Sequence, residues 1–349
     1  PQRGALGTLF GKQLQNIIHS RFRRFLLFAA MGRFYSAHVD DSRSKPIDAS
    51  TRFCAVYGQP IRHSASPAMH NPAMAKLGLD WRYLAFEVAP DELGQAIAGA
   101  KAMRFIGLNL TVPHKLLAVD LVDALDESAK TWGAVNTICF EAKTGDGDWT
   151  PLGQVLGQAD SEIRAKGYNT DADGITLALQ QDLELNLAGL RVLFLGAGGA
   201  GRVAALKLAK EEAAELHLVN RTTAKAEELA VEINERFPDT TATVGYPENV
   251  AGKIDLVLNA TSLGLKENDP LPIDENQFNL AHASAVFDMI YQPAKTPLLA
   301  KASAAGCRTS NGLGMLLWQG AKALEIWTGQ TAPVEVMREA LTAHIYGND

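Results

Sequence analysis

RVLFLGAGGAGRVAALKLAKEEAAELHLVNRTTAK, residues 191–225, is the stretch that decides the fold. A continuous apolar run, typical of a strand buried on both faces, opens it, and a second apolar strand follows at 216–219. Between them Gly196, Gly198 and Gly201 keep the G-x-G-x-x-G spacing and lead into an Ala- and Leu-rich helix. The first glycine permits a tight turn, the second lets backbone approach a pyrophosphate, and the third lets helix pack on strand.

Glycine-rich turns also occur for structural reasons alone. Here a strand, a helix and a second strand surround the glycines in the order of a dinucleotide-binding βαβ unit. The start of the helix would offer free N–H groups and the positive end of its dipole to the phosphates. The predicted cofactor loop consists of Gly196, Ala197, Gly198, Gly199, Ala200 and Gly201.

The residues after the second strand indicate which dinucleotide binds. A site for NAD usually carries Asp or Glu about 20 residues beyond the glycines, where the carboxylate binds the ribose 2′-OH. This chain has Asn220 there, followed by Arg221 and, four residues later, Lys225. A carboxylate would repel a 2′-phosphate, whereas an amide donates a hydrogen bond and two cations supply charge. A solvated basic pair is the alternative, but the position at the strand end predicts NADP(H).

Composition indicates a globular chain of two domains. Its 349 residues suffice for two cores, because 47% are hydrophobic and only 21% are charged. The net charge of -6 gives no sign of nucleic-acid binding. Cys54, Cys139 and Cys307 are too widely spaced for a disulfide framework, and no histidines have metal-ligand spacing. We therefore predict no metal, no nucleic-acid partner, and cysteines that pack in a reducing compartment.

Residues 1–50 differ from the remainder. Up to Val39 they contain Arg and Lys but no acidic residue, with three arginines just before the apolar run FLLFAAM. That run is far too short to span a bilayer, so we predict no membrane association. A basic, acid-poor segment is typical of a transit peptide, but an extension upstream of a start at Met31, or a disordered tail, fits as well. We predict a cytoplasmic protein, with organelle targeting through residues 1–50 as the alternative.

From residue 52 onward strands and helices alternate, which predicts an α/β layer. The strand FCAVYG leads to Ser64 and Ser66, just before Pro67 at a helix start. Two hydroxyls beside free helix-start amides can bind a carboxylate, but serine before proline is also a common cap. Lys115 follows the strand FIGLNLTV, at the end where open α/β sheets place their ligand crevice. A lone surface lysine is the alternative there.

The next segment is expected to form a helix over 116–126 and a strand, WGAVNTICF. Asn136 within that strand is unusual because a buried amide needs partners, which could be backbone groups or a polyhydroxylated ligand. Residues 141–166 are expected to form a turn and a polar stretch. Asp171 then opens an apolar helix whose dipole stabilises the carboxylate, although Asn or Thr at this point could simply cap the helix.

Two segments in the second half of the chain carry further candidate site residues. Ala260, Thr261 and Ser262 follow the strand DLVLN, where a cofactor would lie. After a Gly-rich joint at 311–314, a helix begins at Met315 and carries Gln319 among apolar residues. A single glutamine on such a face is more often paired with backbone than with a ligand.

Nine motifs, in order, resemble those of the shikimate dehydrogenase family over roughly residues 52–345. They are YGQPIRHSASPAMHN, NLTVPHK, GAVNT, NTDADG, GAGGAG, NRTTAK, NATSLG, DMIYQPAKTPLL and NGLGMLLWQGA. The resemblance implies a two-domain α/β fold with a cleft between an α/β substrate domain and a Rossmann-type NADP domain. The substrate domain would comprise 51–170 and 312–349, the NADP domain 171–311, and residues 1–50 would be an extension.

The resemblance also implies the roles of individual residues. Lys115 and Asp171 would be the catalytic pair. The substrate contacts would be Ser64, Ser66, Thr111, Asn136, Tyr291 and Gln319, with the two serines on the shikimate carboxylate. The cofactor contacts beyond the glycine loop would be Asn220, Arg221, Thr222, Lys225, Ala260, Thr261, Ser262, Met289, Gly312 and Met315.

The activity implied by the resemblance is the reversible, NADPH-dependent reduction of 3-dehydroshikimate to shikimate in chorismate and aromatic amino-acid synthesis, by a monomer or homodimer. One alternative is a quinate/shikimate dehydrogenase of the same fold that favours NAD. Another is a non-catalytic NADP-binding sensor, against which the retention of both Lys115 and Asp171 argues. An insertion between Thr150 and Gly167, and Asp173 where the family usually has a small residue, leave the loop geometry near the cleft open.

Overall fold

A computed structural model describes residues 45–145, 147–155, 162–247, 253–266 and 268–347. Residues 1–44, on which the targeting alternative rests, lie outside the described residues, as do residues 156–161 of the insertion. The described chain contains two β-sheets with helices packed against them.

The first sheet is mixed and has the strand order β2-β1-β3-β5-β7-β4, with β6 paired to β5. Strands β1, β2 and β3 are parallel, whereas β5 runs antiparallel to both β3 and β7. Its strands are β1 Arg52–Gly58, β2 Trp81–Glu87, β3 Gly107–Leu110, β4 Ala124–Leu125, β5 Thr137–Lys143, β6 Trp149–Pro151 and β7 Ile163–Tyr168.

The prediction of a helix over residues 116–126 is wrong. A single helical turn at His114–Leu117 and a 3₁₀ turn are followed by β4, which pairs with β7. One tertiary contact and one local cap explain the difference. The Asp123 carboxylate accepts the Ala165 N–H at 2.6 Å, and Asp126 accepts the Ser128 N–H as the N-cap of the next helix.

The expected strand WGAVNTICF begins later than expected, at Thr137. Trp132 instead ends a helix, and Gly133 follows it with a left-handed φ of 64°. Asn136 therefore lies just before β5. The strand's pairing starts only where β3 and β7 flank it on both sides.

The prediction that residues 141–166 form a turn and a polar stretch is also wrong, because this segment contains most of the interior strand β7. The strand alternates buried and half-buried residues, with Ile163 and Ala165 facing the core. On the other face Arg164 lies 4.4 Å from the centre of the Trp149 ring and pairs with Glu141 at 2.6 Å. Because these charged side chains have partners elsewhere in the chain, the polar sequence of β7 does not reveal that it is an interior strand.

The second sheet has six strands, all parallel, in the order β10-β9-β8-β11-β12-β13. This is the 3-2-1-4-5-6 order of the Rossmann fold, and its strand order reverses between β8 and β11. The strands are β8 Arg191–Leu195, β9 Glu215–Val219, β10 Thr241–Val244, β11 Ile254–Asn259, β12 Ala283–Asp288 and β13 Arg308–Asn311. The predicted two-sheet α/β architecture with a Rossmann-type unit is confirmed.

The helices of the described chain cover both sheets. They are α1 Ser66–Lys76, α2 Leu93–Ala102, α3 His114–Leu117, α4 Glu127–Trp132, α5 Asp171–Asp182, α6 Gly199–Lys210, α7 Thr223–Arg236, α8 Pro297–Ala304, α9 Leu313–Thr328 and α10 Val334–Tyr346.

The C-terminal helices α9 and α10 return to the first sheet. Leu317, Leu324, Trp327 and Met337 belong to the same buried core as β1, β3 and β5. Helices α5 and α9, which lie next to the two connections between the sheets, pack closely. A Cβ on Gly174 would lie 2.9 Å from the carbonyl oxygen of Met315.

A buried histidine makes the stability of the first core depend on pH. His70 is fully buried, its ring stacks on Tyr83 at 4.3 Å, and its ring nitrogens hydrogen-bond none of the described residues. Burial lowers the pKa of His70 to about 3, whereas an unfolded histidine has a pKa of about 6.5. Between these values the unfolded state binds the proton. The contribution of His70 to stability is therefore complete above about pH 6.5 and is lost as the pH falls towards 3.

We expect the free energy of unfolding to fall by about 2 kcal/mol between pH 7.5 and 5.0 on account of His70. Denaturant unfolding of wild type and His70→Leu at both pH values measures this, because leucine has a similar volume and does not titrate. The variant should lose about 2 kcal/mol less than wild type over the same interval. Equal losses in the two proteins would contradict the assignment.

Candidate active site

A cavity of about 690 Å³ is lined by residues from both sheets. Its walls come from the loops after β1 and β3, the first residue of α5, the start of α6, the loops after β11 and β12, and the start of α9. The predicted site residues that line it are Ser64, Ser66, Thr111, Lys115, Asp171, Ala200, Ala260, Thr261, Ser262, Met289, Tyr291, Gly312, Met315 and Gln319. Residues far apart in sequence thus meet at one cavity.

Lys115 and Asp171 form an ion pair in this cavity. Lys115 Nζ lies 2.6 Å from Asp171 Oδ2, although the residues are 56 positions apart in sequence. The side chains are 30% and 14% exposed, so both are partly shielded from water. Asp171 is the first residue of α5, where the helix dipole favours a carboxylate. An ammonium group has three donors, so Lys115 retains two for a ligand oxygen.

The two predicted carboxylate-binding serines lie at the start of α1. Ser66 is its first residue, and no side chain caps the helix, whose N-cap is Ala65. Ser64 Oγ instead accepts a long hydrogen bond of 3.4 Å from the Ser66 N–H. Both serines line the cavity at the positive end of the helix dipole, which is a setting that suits an anionic group.

Asn136 lies behind the cavity wall and does not line it. Its Oδ1 accepts the Thr170 N–H at 2.8 Å, and its Nδ2 donates to Thr170 Oγ1 at 3.0 Å. Nδ2 is also 3.5 Å from Oε1 of Gln319, a residue that does line the cavity. Gln319 in turn donates to the Leu316 carbonyl oxygen at 2.9 Å. The partners that a buried amide needs are therefore protein groups in this structure.

Asn109 is a cavity residue that the sequence analysis missed. It is a buried polar residue in the apolar strand β3, two positions before Thr111. The signal was the same one that singled out Asn136, because a buried amide in an apolar strand needs polar partners. The signal is weak beside Thr111 and Lys115 in the same motif, which carry more obvious chemistry.

The glycine loop after β8 has the geometry that a pyrophosphate requires. Gly196 has a φ of 104°, and a Cβ on it would lie 2.8 Å from Thr261 Cγ2. A Cβ on Gly201 would lie 2.3 Å from the Gly196 carbonyl oxygen, so the helix–strand contact requires glycine. A Cβ on Gly198 would meet nothing within 4 Å. The backbone there faces open space just before the amides that begin α6, and these residues fit a dinucleotide phosphate.

Asn220 holds this loop in place. Its Oδ1 accepts the Ala197 N–H at 2.9 Å, and its Nδ2 donates to the Thr222 carbonyl oxygen at 2.8 Å. The side chain expected to donate to a phosphate is thus engaged with the protein. It links the end of β9 to the glycine loop and to the start of α7.

The predicted cations lie at the start of α7. Lys225 lines a second cavity of about 260 Å³ together with Ala197, Gly198 and Gly199. Arg221 and Thr222 are exposed and line neither cavity. Within the described part of the chain, neither Arg221 nor Lys225 pairs with a carboxylate, so both cations are free to meet an anion.

The described residues contain no group of three or more His, Cys, Asp or Glu side chains that could hold a metal ion. None of the helices in this part of the chain combines the length and apolar character needed to cross a membrane.

Family models match three parts of the chain. Residues 56–138 match the shikimate dehydrogenase substrate binding domain, 177–265 match shikimate / quinate 5-dehydrogenase, and 312–342 match the shikimate 5′-dehydrogenase C-terminal domain. The curated shikimate dehydrogenase (NADP(+)) of Methanopyrus kandleri is 39% identical over 308 residues, which cover 87% of this chain and 99% of the relative.

Solved structures give the same result. Shikimate 5-dehydrogenase from Thermus thermophilus, in complex with NADP(H) and shikimate, is 34% identical, with a TM-score of 0.68 and coverage of 83% of this chain and 98% of that one. Quinate dehydrogenase from Corynebacterium glutamicum, in complex with NAD, is 27% identical, with a TM-score of 0.69 and coverage of 84% and 99%. By its extended identity to such relatives and by the match of three domain models, the chain belongs to the shikimate dehydrogenase family.

Proposed function

We propose that this protein reduces 3-dehydroshikimate reversibly to shikimate with NADPH, as a step in the synthesis of chorismate and the aromatic amino acids. The observation that carries the proposal is the ion pair of Lys115 and Asp171, which lines one cavity with residues next to a dinucleotide loop. A binding protein without catalysis has no need for a paired ammonium in such a position.

NADPH supplies a hydride to the substrate ketone when it is bound. The glycine loop 196–201 would hold its pyrophosphate, while Lys225 and Arg221 would supply charge for the 2′-phosphate. Met289, Gly312 and Met315 line the main cavity and would contact the nicotinamide end. Asn220 and Thr222 would act by shaping the loop and the start of α7.

Lys115 carries the chemistry on the protein side. Reduction of a ketone leaves an alkoxide, which must receive a proton as it forms. The Lys115 ammonium both stabilises that developing charge and donates the proton. Asp171 holds the ammonium in place at 2.6 Å, and its second carboxylate oxygen is available to a substrate hydroxyl.

The remaining polar residues would orient the substrate. Ser64 and Ser66 would bind the carboxylate at the start of α1, with Tyr291 nearby on the cavity wall. Thr111 and Gln319 also line the cavity and would contact ring hydroxyls. Asn136 would act through Thr170 and Gln319, which it contacts.

We further propose a substrate domain of residues 51–170 and 312–349 and an NADP domain of 171–311. The core that α9 and α10 share with the first sheet supports this division. A cytoplasmic location and a monomeric or homodimeric state stay predictions.

The test is the rate of nicotinamide reduction by purified protein with shikimate or quinate, each with NADP⁺ or NAD⁺. We expect a rate confined largely to shikimate with NADP⁺. Comparable rates with quinate or NAD⁺ would favour a quinate/shikimate dehydrogenase, a second candidate that the likeness to an NAD-bound quinate dehydrogenase supports. No rate in any of the four assays would contradict a dehydrogenase and favour an NADP-binding sensor.

A further inference from the structure

Tyr83 lies behind the cavity and contacts one of its lining residues. The tyrosine is in β2, is 1% exposed and does not line the cavity. Its hydroxyl donates to Asn109 Oδ1 at 2.7 Å, and Asn109 is a cavity residue that is 5% exposed. Tyr83 can therefore act on a bound substrate through the Asn109 amide.

The contacts of Asn109 determine which way its amide points. Nδ2 donates to Thr137 Oγ1 at 2.9 Å and to the carbonyl oxygen of Asn136 at 3.3 Å. A backbone carbonyl can only accept, so the atom that faces it must be the NH₂ group. The Asn109 oxygen must then face Tyr83, and the Tyr83 hydroxyl must be the donor.

This arrangement leaves Asn109 with one free hydrogen-bonding position. An amide side chain has two N–H donors and an oxygen with two lone pairs. Both donors are engaged by Thr137 and Asn136, and Tyr83 engages one lone pair. What remains is a single acceptor position on Oδ1. Asn109 can accept a hydrogen bond from a hydroxyl in the cavity but cannot donate one to it.

Tyr83 is itself held rigidly. Its ring stacks on His70 with an interplanar angle of 6° and lies 6.2 Å from the Trp327 ring. Its backbone N–H and carbonyl both hydrogen-bond the Asn71 side chain, at 2.9 and 3.0 Å. Burial raises the pKa of Tyr83 well above its usual value, and the nearby Ser66 side chain offsets this only in part, so the hydroxyl keeps its proton. The donor is fixed in position and always available.

From these contacts we propose that Tyr83 is a positioning residue: its hydroxyl occupies one lone pair of Asn109 Oδ1 and so holds the other lone pair in place for one ring hydroxyl of the substrate, while Thr137 and Asn136 engage both amide donors. The inference rests on the proposed function, because it concerns the polyhydroxylated ring that the cavity would bind. Tyr83 thereby helps to position the acceptor that recognises this hydroxyl, without touching the substrate. A site built to hydrogen-bond a hydroxyl discriminates strongly against an analogue that lacks it.

Tyr83→Phe tests the inference, since it removes the hydroxyl and keeps the ring. We expect the KM for shikimate to rise about tenfold, with kcat within about threefold and the KM for NADP⁺ within about twofold. Tyr57→Phe is the matched control, because Tyr57 is a buried tyrosine of the neighbouring strand β1 that does not line the cavity. It should leave all three constants close to wild type.

A second readout uses analogues of shikimate that each lack one ring hydroxyl. Wild type should bind one of them much more weakly than shikimate, and Tyr83→Phe should reduce that difference about tenfold. An unchanged shikimate KM in Tyr83→Phe, or unchanged discrimination, would overturn the inference. So would a parallel change in kcat and both KM values with a lowered melting temperature, which indicates a merely structural role.

Thr137→Val keeps the inference testable if Tyr83→Phe does not accumulate as folded protein. It removes the other side-chain anchor of the Asn109 amide, and the shikimate KM should rise in the same direction with kcat largely retained. An unchanged KM would overturn the inference. The proposed function fails separately, if wild-type protein does not oxidise shikimate at all.

Discussion

Replacing Lys115 with alanine is expected to lower kcat for shikimate by roughly 100-fold or more, while the substrate affinity stays within about tenfold of wild type. The ammonium stabilises charge that develops only as the hydride moves, so its loss affects the transition state more than the bound substrate. The ion pair with Asp171 at 2.6 Å holds it in place within the cavity. Water would be a poor substitute, since it carries no fixed positive charge.

Steady-state kinetics with shikimate and NADP⁺ measure this effect. Lys101→Ala is the matched control, because Lys101 forms a similar ion pair with Asp123 at 2.7 Å outside the cavity. Exposed pairs of that kind contribute about 0–1 kcal/mol to stability, so the control should keep full activity. A Lys115→Ala enzyme with wild-type kcat would remove Lys115 from the mechanism.

The second large effect concerns the cofactor. The double variant Arg221→Ala/Lys225→Ala should raise the KM for NADP⁺ about 100-fold and leave the KM for NAD⁺ nearly unchanged. Hydrogen bonds to charged groups contribute about 1.5–3 kcal/mol each, and the 2′-phosphate is the only group that distinguishes the two dinucleotides. Both cations lie at the start of α7, just beyond the strand end where that phosphate is expected.

Initial rates over a range of each dinucleotide give both KM values. Lys301→Ala is a suitable control, since Lys301 in helix α8 pairs with Glu275, and neither residue lines the cavities beside the glycine loop. Adding Asn220→Asp to the double variant should favour NAD⁺ further. Aspartate keeps an acceptor for the Ala197 N–H and brings a carboxylate that suits a ribose 2′-OH. Equal increases in KM for both dinucleotides would show that the cations do not bind the 2′-phosphate.

The sequence predicted the second sheet better than the first. The glycine spacing and the apolar runs of β8 and β9 are local patterns, and parallel strands buried on both faces reveal themselves as continuous apolar runs. Strand β7 carries Arg164 and Lys166, whose charges are met by partners elsewhere in the chain. The polarity of β7 therefore does not indicate a strand. The residues of β4 lie within the segment for which the sequence predicts a helix.

The sequence by itself determined the α/β class, the dinucleotide loop and the family, because these depend on residue types at short, fixed spacings. Only the tertiary structure decided which side chains meet. Lys115 reaches Asp171, Asn220 accepts from Ala197, and Tyr83 donates to Asn109. Each of these contacts joins residues more than 20 positions apart, and the order and direction of the strands bring them together. No local spacing encodes that order. The hydrogen bonds of these polar groups therefore depend on the assembled sheets and cannot be deduced from the sequence pattern.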